Sequence, residues 1–319
     1  MQSILATCTP RPDIIAGSFN PEIFTASLSQ VMEAYQWRHS STDTLYTDAE
    51  LCFREATFPT EGLRRVIGDV FGRLAGDNSL PAIHRLETGF GGGKTHTLIS
   101  LVHLAYRGRS IADATREVIS SDLLQPEGAI AVVGIACDEM PVIEPSGEQI
   151  LPYTLWGEIA LRLAGEGFYR HNLKEVTSTA FPGKYFLERL FVGRRVLIML
   201  DELAQYATRY EAAHLGGGEQ LGAFLMALLG YARTHADIAV VVTLASQQDA
   251  FRQQTGMLAG ILSQTLGRKV DQDEAEALAQ KAGNTILSVV SRDATSTVPV
   301  RAAEISRVLA RRLFTHIDT

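Results

Sequence analysis

A chain of 319 residues with 46% hydrophobic and 20% charged residues has the composition of an ordinary globular protein, with core enough for one large domain or two small ones. Its formal net charge of −7 argues against a global basic field that would draw in nucleic acid or an anionic membrane, although a local basic face stays open. The longest apolar runs, residues 129–137 and 238–245, are less than half of the ~20 residues that span a bilayer, and Cys8, Cys52 and Cys137 have no metal or redox spacing.

In chain order, residues 1–78 have an irregular helical pattern, with Ala26, Val31 and Tyr35 apolar and a polar loop at 39–44. The run Thr57-Phe58-Pro59-Thr60 predicts a helix start. Thr60 is the expected N-cap, ahead of Leu63, Val66, Ile67, Val70, Phe71 and Leu74 at helical spacing. Gly76-Asp77-Asn78 closes that helix as a turn. Residues 82–98, AIHRLETGFGGGKTHTL, then predict a strand, a glycine-rich loop and a helix whose inner face carries Leu98, Leu101, Val102 and Ala105.

That loop ends in Gly93-Lys94-Thr95, the closing residues of the phosphate-binding pattern G-x-x-x-x-G-K-[S/T]. The first glycine of the pattern is replaced by Thr88, and a glycine follows one residue later at Gly89, which is expected to take the unusual backbone angle. Glycines let successive backbone N–H groups point into one concavity, and a helix start adds free N–H groups and a positive dipole end. Gly89, Phe90, Gly91, Gly92, Gly93, Lys94, Thr95 and His96 are therefore the candidate nucleotide-binding residues. Lys94 is expected on the β- and γ-phosphates and the Thr95 hydroxyl on Mg²⁺. The His96 side chain is expected to pack on the helix rather than to take part in catalysis.

Beyond the loop the pattern predicts a helix over 111–124, a buried parallel strand over 129–136 and a loop over 138–149 rich in carboxylates and proline. Helices follow at 153–164 and 185–191. Residues 195–202, RVLIMLDE, form another buried strand that ends on Asp201 and Glu202. Gly216, Gly217 and Gly218 read as a flexible turn before a helix through Leu221, Leu225, Leu228 and Leu229. A strand at 238–245 leads to Ser246, followed by a helix at 273–290, an extended segment at 298–300 and a helix at 302–314. Strands separated by helices imply an α/β fold, a parallel sheet flanked by helices with right-handed crossovers.

In such a sheet ligands sit at the carboxyl ends of the strands. That places Asp201, Glu202 and Ser246 beside the loop, with Asp201 expected to orient Mg²⁺ and Glu202 to polarise a water for attack on the γ-phosphate. Paired acids at a strand end also occur as solvated turn residues, and Ser246 as a strand cap. Thr243 takes the polar position if the strand ends earlier. Among the arginines, Arg292 is the first candidate to reach a neighbour's nucleotide, ahead of Arg311 and Arg312, and solvated surface roles are open to all three.

A phosphate loop, an apolar strand ending Asp-Glu, a polar residue ending the next strand and an extended V-P-V leading into an arginine-rich helix resemble the AAA+ type of P-loop ATPase. More narrowly, the stretches CTPRPDIIAG, TFPTEGL, LETGFGGGKTHTLISL, TLWGEIALRL, LIMLDELAQYA and EISRVLARRLF resemble a bacterial family labelled domain of unknown function 499. The resemblance runs from Cys8 to Phe314. It implies an ATPase using ATP and Mg²⁺, with Lys94 and Thr95 matching the family's phosphate loop, Asp201 and Glu202 its acidic strand end and Ser246 its sensor-like position, beside Arg292 as the separate catalytic candidate. It also implies a homo-oligomer or a multi-protein complex in bacterial phage defence, near DNA methyltransferases and helicases. With the sparse thiols and the absence of a secretion leader, it gives a cytoplasmic expectation.

The domain expectation is a helical lead-in over 1–80, an AAA+-like P-loop ATPase core over 81–297 and the start of a helical lid over 298–319, most of which is expected to lie outside this chain. Three functions compete: a hydrolysing motor or switch, a nucleotide-ordered scaffold with little turnover, and, less favoured, a small-molecule kinase. DNA is possible as a partner but not supported by the charge, and no membrane contact is expected.

Overall fold

The computed structural model describes residues 7–17, 25–37, 44–88, 92–147, 149–245 and 250–317. Strand β1 (Cys8–Pro10) is followed by α1 (Leu28–Trp37) and α2 (Glu61–Leu74), then by β2 (Ile83–Thr88), α3 (Lys94–Arg107) and β3 (Ala131–Ala136). Helices α4 (Leu155–His171) and α5 (Lys184–Phe191) lead to β4 (Val196–Asp201), α6 (Leu203–Ala213), α7 (Gly217–Thr234) and β5 (Ile238–Ala245). The chain continues through α8 (Ala250–Leu266), α9 (Gln272–Asp293), β6 (Thr295–Thr297), α10 (Ile305–Leu313) and β7 (Phe314–Ile317).

Five strands form one sheet in the order β3-β4-β5-β2-β6, and every pairing in it is parallel. All six residues of β4 are buried, as expected for a strand covered on both faces. Alternate side chains divide between two cores: Leu197 and Met199 join Val31, Val66, Ile67, Leu98 and Val102 from α1, α2 and α3. Ile198 and Leu200 join Trp156, Phe186, Tyr206, Phe224 and Ile286 from α4, α5, α6, α7 and α9. Each large side chain so buried contributes roughly 1.5–3 kcal/mol by leaving water.

The four expected strands and the α2 start are present, with Thr60 accepting a hydrogen bond from the Leu63 N–H at 3.2 Å. Other expectations are corrected. Residues 111–124 do not make one helix: they hold a single turn at Ala112–Thr115 and a 3₁₀ turn at Ser121–Leu123. The segment is instead folded back, with Arg109 donating from its backbone to Gln125 O at 3.1 Å and from Nε to Leu124 O at 2.9 Å. Gly217 and Gly218 belong to the first turn of α7 rather than to a flexible turn. A Cβ at Gly218 would stand 2.8 Å from Glu211 Oε2, so the glycines let α7 start against α6. The last helix stops at Leu313, and Phe314–Ile317 pairs antiparallel with β1, joining residues more than 300 positions apart.

Candidate functional site

Asp201 ends β4 and Glu202 follows it, while α3 begins at Lys94 beyond the carboxyl end of β2. Strand β5 lies between these two strands, and its Thr243 reaches both acids. The Thr243 Oγ1 hydroxyl donates to Asp201 Oδ1 at 2.5 Å and accepts from the Glu202 N–H at 3.0 Å. Thr95 Oγ1 donates to the other carboxylate oxygen, Asp201 Oδ2, at 2.9 Å. Three elements, far apart in the chain, are thereby tied into one hydrogen-bonded set.

Gly93 precedes α3 with φ 76°, ψ 15°, the left-handed region that glycine adopts without penalty. A Cβ there would also come within 2.9 Å of Val300 Cγ2, so the loop packs directly on the segment after β6. Glu202 is the one non-glycine residue with positive φ among those described, at φ 50°, ψ 37°. Such a backbone costs on the order of 1 kcal/mol or more and persists where surrounding contacts hold it. The Thr243 bond and the Gln205 N–H donating to Glu202 O at 3.0 Å supply that hold.

The electrostatics set the acids apart from surface carboxylates. Burial pushes the Asp201 carboxyl up from its ordinary value, opposed by the Thr243 and Thr95 hydrogen bonds. Burial likewise raises Glu202, repulsion from Asp201 adds to it, and the Lys94 charge opposes both. A third acid, Asp138, stands just past β3 and raises each of them further. Its turn is clamped by Arg209 of α6, which donates to the carbonyls of Cys137 at 2.8 Å, Asp138 at 2.7 Å and Met140 at 2.9 Å.

Lys94, Thr95, Asp201 and Glu202 are thus brought together as expected, and Thr243 holds the polar position on the intervening strand. Gly89, Phe90, Gly91 and Ser246 lie outside the described residues, and with them the expected backbone angle at Gly89. Gly92 and Gly93 lead into α3.

The fold places two further candidates. The His96 side chain packs as expected, with its Nε2 3.0 Å from Thr57 Oγ1. Arg292 lies in the last turn of α9, just before β6, and Thr295 of that strand pairs with His84 near the start of β2. Because the strands are parallel, Arg292 is at the amino edge of the sheet, opposite this chain's own loop.

Asp138 and Arg209 were missed in the sequence. The same strand-end rule that singled out Asp201 applies to residues 137–138 and would have found Asp138. Arg209 has no local signature, since its role exists only through the turn it clamps.

The donor set fits Mg²⁺. A threonine hydroxyl and a carboxylate are hard oxygen ligands of the kind that ion takes, with its remaining positions filled by water and phosphate oxygens. The glycine at 93 and the helix start behind it fit a phosphate for the same physical reason. No helix among the described residues is long and apolar enough to cross a membrane. In comparison with known proteins, the family model for the DUF499 N-terminal domain matches residues 13–259, well over half of the chain. No curated protein matches it.

Proposed function

The chain belongs to the DUF499 family through its N-terminal domain, and from that premise we propose that it binds ATP with Mg²⁺ at the carboxyl edge of the sheet and hydrolyses it as a motor or switch. The observation that carries this reading is the 2.9 Å bond between Thr95 Oγ1 and Asp201 Oδ2, which joins the start of α3 to the acid of β4. Backbone N–H groups at the start of α3 cradle the phosphates, and Lys94 neutralises the terminal ones. Mg²⁺, when bound, supplies a further positive charge beside the transferring group.

Glu202 is the general base. Its Oε2 accepts from Gln205 Nε2 at 3.3 Å, which leaves Oε1 to take the proton of an attacking water. Desolvation and the neighbouring acids raise its proton affinity, in the direction that suits a base working near neutral pH. Thr243 serves as the polar residue of the intervening strand, and the sensor-like role expected of Ser246 falls in sequence just after it.

The position of Arg292 at the amino edge favours slow turnover in an isolated chain, with Arg292 serving a neighbour's site in a homo-oligomer. A nucleotide-ordered scaffold is the limiting case of that behaviour. The setting in a cytoplasmic phage-defence complex rests on family resemblance alone.

The test is phosphate release from ATP by the wild-type protein against Glu202→Gln and Lys94→Ala. Glu202→Gln is expected to keep nucleotide binding and lower turnover about 10²–10³-fold, the usual size for removing one positioned catalytic group. Lys94→Ala is expected to lose binding. Unchanged turnover in Glu202→Gln overturns the hydrolytic reading.

A further inference from the structure

The two-stranded sheet of β1 and β7 has two outer edges, and they differ in chemistry. Strand β1 is three residues long and ends on Pro10, which has no backbone N–H to donate. The next N–H, that of Arg11, is spent on Leu313 O at 3.0 Å. Strand β7, Phe314–Ile317, holds aromatic and β-branched residues and no proline. Among the described residues its only strand partner is β1, so its other edge is open to a further strand.

Phe314, Thr315, His316 and Ile317 all line a cleft of about 730 Å³, a size within the range of ligand-binding sites. Successive side chains of a strand point to opposite faces. Four consecutive lining residues therefore mean that the cleft runs along the edge of β7 rather than over one face. The same cleft is lined by Arg64 of α2 and by Arg307 and Arg311 of α10, the last two one helical turn apart. None of the three is in a salt bridge among the described residues, and Arg64 Nε donates to the backbone carbonyl of Glu117 at 2.7 Å. Two of the lining acids are engaged. Glu61 pairs with Arg301 at 2.5 Å, and Glu304 accepts from the N–H groups of Arg301 at 3.0 Å and Glu61 at 2.9 Å. The Glu117 carboxylate alone remains against three guanidinium groups, a local positive excess on a chain of net charge −7.

We propose that the open edge of β7 is a docking site for an acidic peptide segment of a partner protein, which adds to it as a third strand and sets its carboxylates against Arg64, Arg307 and Arg311. Main-chain hydrogen bonds to β7 supply affinity. The guanidinium groups, whose planar forks match carboxylates, select an acidic sequence. None of Lys94, Thr95, Asp201 and Glu202 lines the cleft, so the site is separate from the one proposed for the nucleotide.

Equilibrium binding of fluorescently labelled octapeptides to the whole chain tests it. The probe alternates glutamate and threonine. One control is the same peptide N-methylated at every residue, which keeps the charge and loses the backbone donors, and the other alternates lysine and threonine. Wild-type protein is expected to bind the acidic peptide roughly tenfold more tightly than either control, and Arg307→Glu combined with Arg311→Glu is expected to weaken that binding about tenfold, the scale of two exposed ion pairs. Equal binding of the N-methylated peptide shows an anion patch without strand addition and overturns the proposal, as does acidic-peptide binding that the double variant leaves unchanged. No binding of the acidic peptide overturns it outright. A dimer that forms in sedimentation and excludes the peptide puts a second copy of the chain on this edge and overturns it as well. The three peptides on wild-type protein decide the matter even if the double variant does not fold.

Discussion

The two edges of the sheet handle buried charge in opposite ways. At the amino edge the guanidinium of Arg73, in the last turn of α2, is buried and donates to the carbonyls of Leu80, Ala232, Arg233, His235 and Ile238. It closes the end of α7, where a cation also suits the helix dipole. Nearby, Arg233 pairs with Asp293 at 2.6 Å and Arg195 with Asp237 at 3.8 Å. At the carboxyl edge burial and the Asp138 charge raise Asp201, burial and both aspartates raise Glu202 against the opposing Lys94 charge, and Glu202 sits in a left-handed backbone. At the amino edge the Arg73 guanidinium is met by backbone carbonyls, although the ring nitrogens of His84 and the Nε of Arg195 there have no hydrogen-bond partner among the described residues. The carboxyl edge holds groups that a ligand would relieve, which is the pattern of a functional site.

The largest expected effect tests the Arg73 contacts. Arg73→Leu strips several buried carbonyls of their donor at ~1–3 kcal/mol each, for a loss of about 4 kcal/mol in unfolding free energy. Chemical denaturation measures it. A loss below about 1 kcal/mol would mean that water replaces the guanidinium and that the amino edge is not locked by charge. A smaller effect is expected at the opposite edge, and it appears in catalysis. Thr243→Val keeps the shape and removes the hydroxyl that holds both acids, so turnover is expected to fall about 10–100-fold, as for other groups that orient a catalytic ligand. Thr243→Ser restores it. Equal turnover in the valine variant would detach Thr243 from the site.

The smallest effect concerns pH. A base acts as its carboxylate, and the Glu202 pKa is raised in the folded protein, so kcat/KM for ATP falls as pH drops through a value above the ordinary ~4.3 of glutamate. Asp138→Asn removes one of the repelling charges and is expected to shift that acidic limb to lower pH. A limb that stays in place shows that Asp138 does not act on Glu202.

Much of this molecule is written in short stretches. Gly93-Lys94-Thr95 is contiguous, and so is Asp201-Glu202. The strands at residues 129–136, 195–202 and 238–245 are legible because a parallel strand buried on both faces must be continuously apolar. The helix caps at Thr60 and the loop glycines follow from backbone chemistry within three or four residues. The broken segment at 111–124 was misread for the complementary reason: its helical composition is overridden by contacts to Gln125 and Leu124, which periodicity does not report.

The rest depends on pairing between distant segments. Nothing local places β5 between β2 and β4, yet that order lets Thr243 bond both acids and brings Thr95 to Asp201, 106 positions away. The same holds for β7 on β1, for Arg73 under α7, for His96 against Thr57, and for Arg292 at the far edge from the loop. Residue types and turn chemistry act over a few positions, so the composition of the candidate site could be read from the chain. Its connections and its strained Glu202 arise only when the crossovers have folded and the strands have taken their order.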